Sequence, residues 1–242
     1  MARMRWSDDH AVDVGRLTDG GSRTLGAGEA SAAIVAGLAG PGFAVVPGFL
    51  REPEIASLRD RALALDRDGE LTAAGVGRGA ARGERPQIRG DRTHWLDDHA
   101  PAPAEVALLV RFEALRRVVN EALFLGLVEI EAHYALYPPG AAYARHRDRF
   151  RDDDARVLSC VLYLNHGWAA ADGGALRLYL ADDAALDVAP EGGTLVCFLA
   201  DRFDHEVLPA RRPRLSIAGW FRQKPQTGSG RITLATGRTP VE

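Results

Sequence analysis

Apolar positions along this chain follow two periods, and the change from one to the other divides it. Up to about residue 123 they recur every three or four residues. In 52–66, Ile55, Leu58, Ala62 and Leu65 form the stripe of an amphipathic helix, and in 102–123, Leu108, Phe112, Leu115, Val119 and Ala122 form another. A shorter helix is predicted over 31–38, stopped by Gly40-Pro41-Gly42, and a brief strand follows at 43–46. From Gly126 the period becomes two. Strands are predicted at 128–137, 142–146, 156–164, 175–179, 194–199, 206–208 and 214–221, separated by turns such as Pro138-Pro139-Gly140, Asp172-Gly173-Gly174 and Glu191-Gly192-Gly193.

Helices followed by short strands predict an α+β fold, a β-sandwich or jelly roll with helices backing one sheet. Side-chain parity adds detail, because alternate strand residues face opposite ways. Arg214, Ser216, Ala218 and Trp220 share one face of the last strand, and Leu215, Ile217, Gly219 and Phe221 share the other. In 156–164, Ser159, Val161 and Tyr163 oppose Leu158, Cys160, Leu162 and Leu164. The oily faces suit the helices; the mixed faces suit the wall of a ligand cavity.

Chemistry concentrates in the second half. His146 and Asp148 are two residues apart, so on a strand both point the same way. His205 lies 57 residues beyond Asp148, and Arg214 nine beyond that. Two imidazoles and a carboxylate are the donors that hold Fe(II) on one face of an octahedron and leave positions open. Zinc is the rival on ligand count, but no general base is evident beside the set, and neither Cys160 nor Cys197 has the spacing of a structural zinc site. Arg214 is in phase with small inward residues, where a buried guanidinium requires an anion. A dicarboxylate cosubstrate supplies one, and Tyr163, inward on its own strand, can add a hydrogen bond. His133 reads as a residue satisfied structurally on its strand.

The ends and the bulk properties contribute less. Residues 1–28 read as a flexible leader, 29–223 as a single domain (helices 29–123, strand core 126–223), and 224–242 as a tail with an edge-strand candidate at 232–234. The segment 75–90, rich in Gly and Arg, reads as a mobile loop. A net charge of −3 with 26% charged residues leaves no basic field for nucleic acid. No membrane span or signal peptide is evident and the two cysteines read as reduced thiols, so a cytoplasmic monomer is expected. Abundant Ala, Arg and Gly with few Lys hint at a bacterial source.

Together the runs YPPGAAYARHRD (137–148), CVLYLNHGW (160–168), GGALRLY (173–179) and HEVLPARRPRLSIAGWF (205–221) resemble the prolyl 4-hydroxylase-like 2-oxoglutarate/Fe(II) dioxygenases. The resemblance spans about residues 29–223 and is closest to the hypoxia-sensing prolyl hydroxylases and their bacterial relatives. It implies a double-stranded β-helix of the jelly-roll or cupin kind, with the helices on the outer face of the major sheet. It further implies Fe(II) on His146, Asp148 and His205, and 2-oxoglutarate on Arg214 and Tyr163 with Tyr137 nearby. O2 is then the second cosubstrate and ascorbate a possible reductant. Trp220 would line the substrate pocket, and the run IRGDRTHW (88–95) resembles a substrate-covering loop in which Asp91 would face Arg156. The implied activity is 4-hydroxylation of a prolyl residue in a protein or peptide, releasing succinate and CO2. Hydroxylation of a free amino acid or other small metabolite, or a slow sensing module, are the alternatives. Departures from the animal enzymes, a shorter turn before Tyr143 and a Gly/Thr-rich tail, fall where a protein substrate would dock.

Overall fold

The computed structural model describes residues 26–76, 83–97, 99–149 and 155–224. The leader before Gly26, the tail after Lys224 and its edge-strand candidate lie outside these residues. Helices α1 (Ala27–Ala39), α2 (Glu52–Arg67) and α3 (Pro103–Leu123) begin alike. The backbone N–H of Gly26, Arg51 and Ala102 donates to the carboxylate of a glutamate three residues on, Glu29, Glu54 and Glu105. That carboxylate satisfies an otherwise orphaned donor at the positive end of each helix. It also carries α1 back to Ala27, earlier than the apolar stripe suggests.

Thirteen strands are described. Before α3 come β1 (Phe43–Val46), β2 (Thr72–Ala73), β3 (Gly75–Val76), β4 (Gly83–Glu84) and β5 (Arg92–Trp95). After it come β6 (Leu127–Tyr137), β7 (Tyr143–His146), β8 (Arg156–Tyr163), β9 (Leu176–Tyr179), β10 (Ala185–Val188), β11 (Leu195–Leu199), β12 (His205–Val207) and β13 (Arg214–Gln223). A seven-stranded sheet in the order β1-β11-β8-β13-β6-β5-β2 faces a four-stranded sheet in the order β10-β9-β12-β7, with antiparallel pairing throughout. This is the jelly roll expected from the sequence.

The helices cover the outer face of the larger sheet. Ile34, Leu58, Leu108, Phe112 and Val119 pack there against Leu158, Leu162, Leu215, Ile217 and Phe221. A second apolar layer lies between the sheets, from Tyr163, Leu176, Leu178, Val196, Phe198 and Phe203. Parity therefore sorted both β8 and β13 correctly. Cys160 and Cys197 are free, buried and directly opposite one another on β8 and β11.

Three differences from the sequence reading have local causes. β10 was not anticipated, because Ala and Asp are poor strand formers; Asp182 and Asp183, both at positive φ, turn the chain so that Leu186 and Val188 enter the inter-sheet core. β5 was hidden in a polar run and exists because it pairs with β6, Trp95 opposite His133. The 75–90 segment is packed at both ends, correcting the loop reading there: β3 pairs with β4, and Ile88 and Gly90 bond to the backbone of Ala144 and Ala142. Residues 77–82 lie outside the described residues.

Candidate metal centre and adjoining cavity

His146 ends β7 and faces His205 of β12 as a direct cross-strand pair. Asp148 lies just past the strand, so its side chain reaches the same point from a turn. His146 Nε2 is 3.6 Å from Asp148 Oδ1, and His205 Nε2 is 3.5 Å from Asp148 Oδ2. One ligand atom from each of the three lies within 4.8 Å of the others, and among the described residues this is the group so arranged.

Supporting contacts fix each donor. His146 Nδ1–H donates to the Ala144 carbonyl at 2.8 Å, and His205 Nδ1–H to that of Phe203 at 3.4 Å. Both bonds hold the tautomer that leaves Nε2 with its lone pair free for a cation. Tyr143 stacks on His146 at 3.6 Å, and Phe198 meets His205 edge-on. Ser159 Oγ–H donates to Asp148 Oδ2 at 2.7 Å. Burial opposes ionisation of Asp148, yet the two imidazoles and Ser159 hold its carboxyl well below the usual range. Burial pushes His205 down to about 4. Two imidazoles beside an ionised carboxylate, open on one side, are a donor set that fits Fe(II).

The three donors open onto a cavity of about 440 Å³ between the sheets. Arg214, the first residue of β13, is 1% exposed at its inner end. Its Nε donates to the Gly174 carbonyl at 2.8 Å and Nη1 to Ser216 Oγ at 3.3 Å, while Nη2 has no partner among the described residues. The Tyr137 and Tyr163 rings flank the guanidinium at 5.2 and 5.1 Å. The Tyr163 hydroxyl lies within the field of this charge but out of hydrogen-bond geometry with it, and burial raises its pKa to about 12. A buried cation with a free N–H and a protonated phenol beside it fits one end of a dicarboxylate. The residues present therefore suit both iron and 2-oxoglutarate.

The opposite wall departs from expectation. Asp91 does not face Arg156: it is forked by Arg89 at 2.7 and 2.9 Å, and Arg156 binds Glu131 at 2.7 Å. Each charge already has a nearer counter-ion, so neither needs the other. Arg156 lies over the Trp220 ring at 3.6 Å, and both line the cavity; Asp91 does not.

Sequence reading also missed His133, Arg89 and Trp95, all of which line the cavity. His133 is satisfied at one nitrogen only: Nε2 meets Arg89 Nη2 at 3.3 Å, while Nδ1 has no hydrogen-bond partner among the described residues. Its signal was parity, because His133, Ala135 and Tyr137 share one face of β6. Burial, reinforced by Arg89, pushes its pKa down from 6.5 to about 3. The unfolded chain then binds a proton that the fold excludes, so stability should fall as pH drops from 6.5 towards 3. The loss should reach about 3 kcal/mol by pH 4. Urea midpoints for wild type and His133→Gln across this range would measure it; matching acid slopes would refute it.

A jelly roll that brings two histidines and a carboxylate to one point beside a buried arginine defines a class of cofactor-dependent oxygenases. The profile of the 2OG-Fe(II) oxygenase superfamily matches residues 132–222. The crystal structure of a Pseudomonas putida prolyl-4-hydroxylase superimposes with a TM-score of 0.74 at 46% identity, covering 80% of this chain and 99% of that one. A Trichoplax adhaerens prolyl hydroxylase, solved with a hypoxia inducible factor oxygen degradation domain peptide fragment, gives 0.73 at 28% identity over 80% of this chain and 89% of that one. Human Egl nine homolog 1 is 30% identical over 209 residues, 83% of this chain and 48% of its own length. This chain thus spans about half of that curated relative. It belongs to the prolyl hydroxylase family of the 2OG-Fe(II) oxygenases. No helix among the described residues is long and apolar enough to cross a membrane.

Proposed function

We propose that this protein is an Fe(II)- and 2-oxoglutarate-dependent dioxygenase that hydroxylates a prolyl residue at its 4-position in a protein or peptide, releasing succinate and CO2. The observation that carries this reading is the free, buried N–H of Arg214 in the same cavity as the His146, Asp148 and His205 donors. The P. putida and T. adhaerens relatives support a prolyl substrate, and the peptide bound to the latter supports an extended one.

In this reading iron and 2-oxoglutarate, when bound, would supply the oxidising power for hydroxylation. The protein supplies position and a cavity shielded from bulk water. His146, Asp148 and His205 would hold the metal. Arg214 and Tyr163 would hold the far carboxylate of 2-oxoglutarate, with Tyr137 beside the same guanidinium. Ser159 keeps the Asp148 carboxylate turned toward the metal. Trp220, braced by Arg156, lines the part of the cavity where the prolyl would sit, while Asp91 acts through Arg89. The adjacent free thiols Cys160 and Cys197 fit a reducing compartment, so we place the reaction in the cytoplasm.

Mass spectrometry of a host lysate treated with enzyme, Fe(II), ascorbate and 2-oxoglutarate tests the reading. One added oxygen on a prolyl of a single protein is expected. Oxygen added only to a free amino acid or other small metabolite would replace the substrate class. Succinate formation without any hydroxylated product would leave a sensing module.

A further inference from the structure

One wall of the cavity is a continuous stack of planar groups from four strands. The Trp95 ring lies 4.8 Å from His133, His133 lies 5.4 Å from Trp220 at an interplanar angle of 28°, and Arg156 covers Trp220 at 3.6 Å. Two nitrogens in this stack, His133 Nδ1 and Trp220 Nε1, are buried with no hydrogen-bond partner. An indole nitrogen only donates; an imidazole nitrogen donates or accepts according to its tautomer.

Arg89 decides that tautomer. Its Nη2 is 3.3 Å from His133 Nε2, and a guanidinium can only donate, so Nε2 must accept and the ring proton must sit on Nδ1. The bidentate bond to Asp91 holds Arg89 in this pose. His133 is 2% exposed and Trp220 7% exposed, so neither N–H has water in compensation, and a buried donor left unmade is costly. The wall therefore presents two N–H donors on neighbouring, nearly parallel rings.

We propose that His133 Nδ1–H and Trp220 Nε1–H form a donor pair for main-chain carbonyl oxygens of the substrate, next to the target prolyl, with Arg89 as the positioning residue that sets the His133 tautomer. Main-chain carbonyls recur along a peptide on both sides of a prolyl, so two adjacent N–H donors suit a prolyl held in a peptide. The proposal rests on the peptide reading above and assigns its docking contact.

The test uses protein labelled with 15N-histidine, with diamagnetic zinc in place of iron and 2-oxoglutarate present. Long-range 15N–1H spectra, assigned with His133→Gln, should show His133 protonated at Nδ1 and bare at Nε2. Titration with N-acetyl-proline N-methylamide should move the Nδ1–H resonance downfield. A proton on Nε2, or an Nδ1–H unmoved at the solubility limit of the amide, overturns the proposal. With any prolyl peptide the lysate experiment yields, His133→Leu and Trp220→Phe should each raise peptide KM about tenfold, the size of one neutral hydrogen bond. The KM for 2-oxoglutarate should stay unchanged, and His133→Gln, which keeps an acceptor for Arg89 and an N–H for substrate, should recover most of the loss. An unaltered peptide KM in His133→Leu also overturns it. If no prolyl peptide is hydroxylated, the activity proposed above fails, while the amide titration still decides this contact.

Discussion

His205→Ala should lose bound iron and 2-oxoglutarate turnover together, while keeping its fold. His205 faces His146 across one ladder and Asp148 across 3.5 Å, so its removal leaves two donors where three define a face. A two-donor site keeps only labile metal. The effect should exceed that of removing a supporting hydrogen bond, typically about 10–100-fold in affinity or activity. Ser159→Ala is the graded comparison. It removes the 2.7 Å bond to Asp148 without touching a donor, and should weaken iron within that smaller range. Metal analysis after anaerobic reconstitution and dialysis, alongside succinate release, measures both. Stoichiometric iron in dialysed His205→Ala would mean that these side chains do not hold the metal.

Arg214→Met should raise the 2-oxoglutarate requirement roughly a hundredfold, the range of a charge-assisted bond to a carboxylate. Iron content should stay at the wild-type level, since Arg214 contacts none of the three donors. Two further readouts separate binding from folding. Without ligand, the wild-type guanidinium is buried with a free Nη2, an arrangement that a methionine of similar volume replaces at little cost or with a gain. The melting temperature of the ligand-free variant should therefore equal or exceed that of wild type. Added 2-oxoglutarate should raise the wild-type melting temperature but hardly that of Arg214→Met. Arg214→Lys should not restore affinity, because an ammonium cannot bond Gly174 and Ser216 while reaching a carboxylate. A wild-type KM for 2-oxoglutarate in Arg214→Met would remove the cosubstrate from this end of the cavity.

Much of this site could be read from local pattern. The alternation in β13 put Arg214, Ser216, Ala218 and Trp220 on the cavity side, and burial of Leu215, Ile217 and Phe221 under the helices follows from the same period. The HxD spacing, the later histidine and the inward arginine were each visible without coordinates. Contacts between side chains were not. Asp91 and Arg156 are opposite charges near one cavity, and only the structure shows that Arg89 and Glu131 claim them first. β10, built on Ala and Asp, has no propensity to announce it and exists because Leu186 and Val188 find a core to enter.

From the chain alone, then, came the α+β order, the faces of the long strands and the identity of the donor set, because these depend on residue type and on periods of two or three to four positions. Tertiary structure alone decided that His205 meets His146 in register, that Arg214 keeps an unspent N–H, and that His133 carries its proton on Nδ1. Those outcomes depend on which groups from distant segments arrive within hydrogen-bond distance, and a one-dimensional pattern holds no such distances.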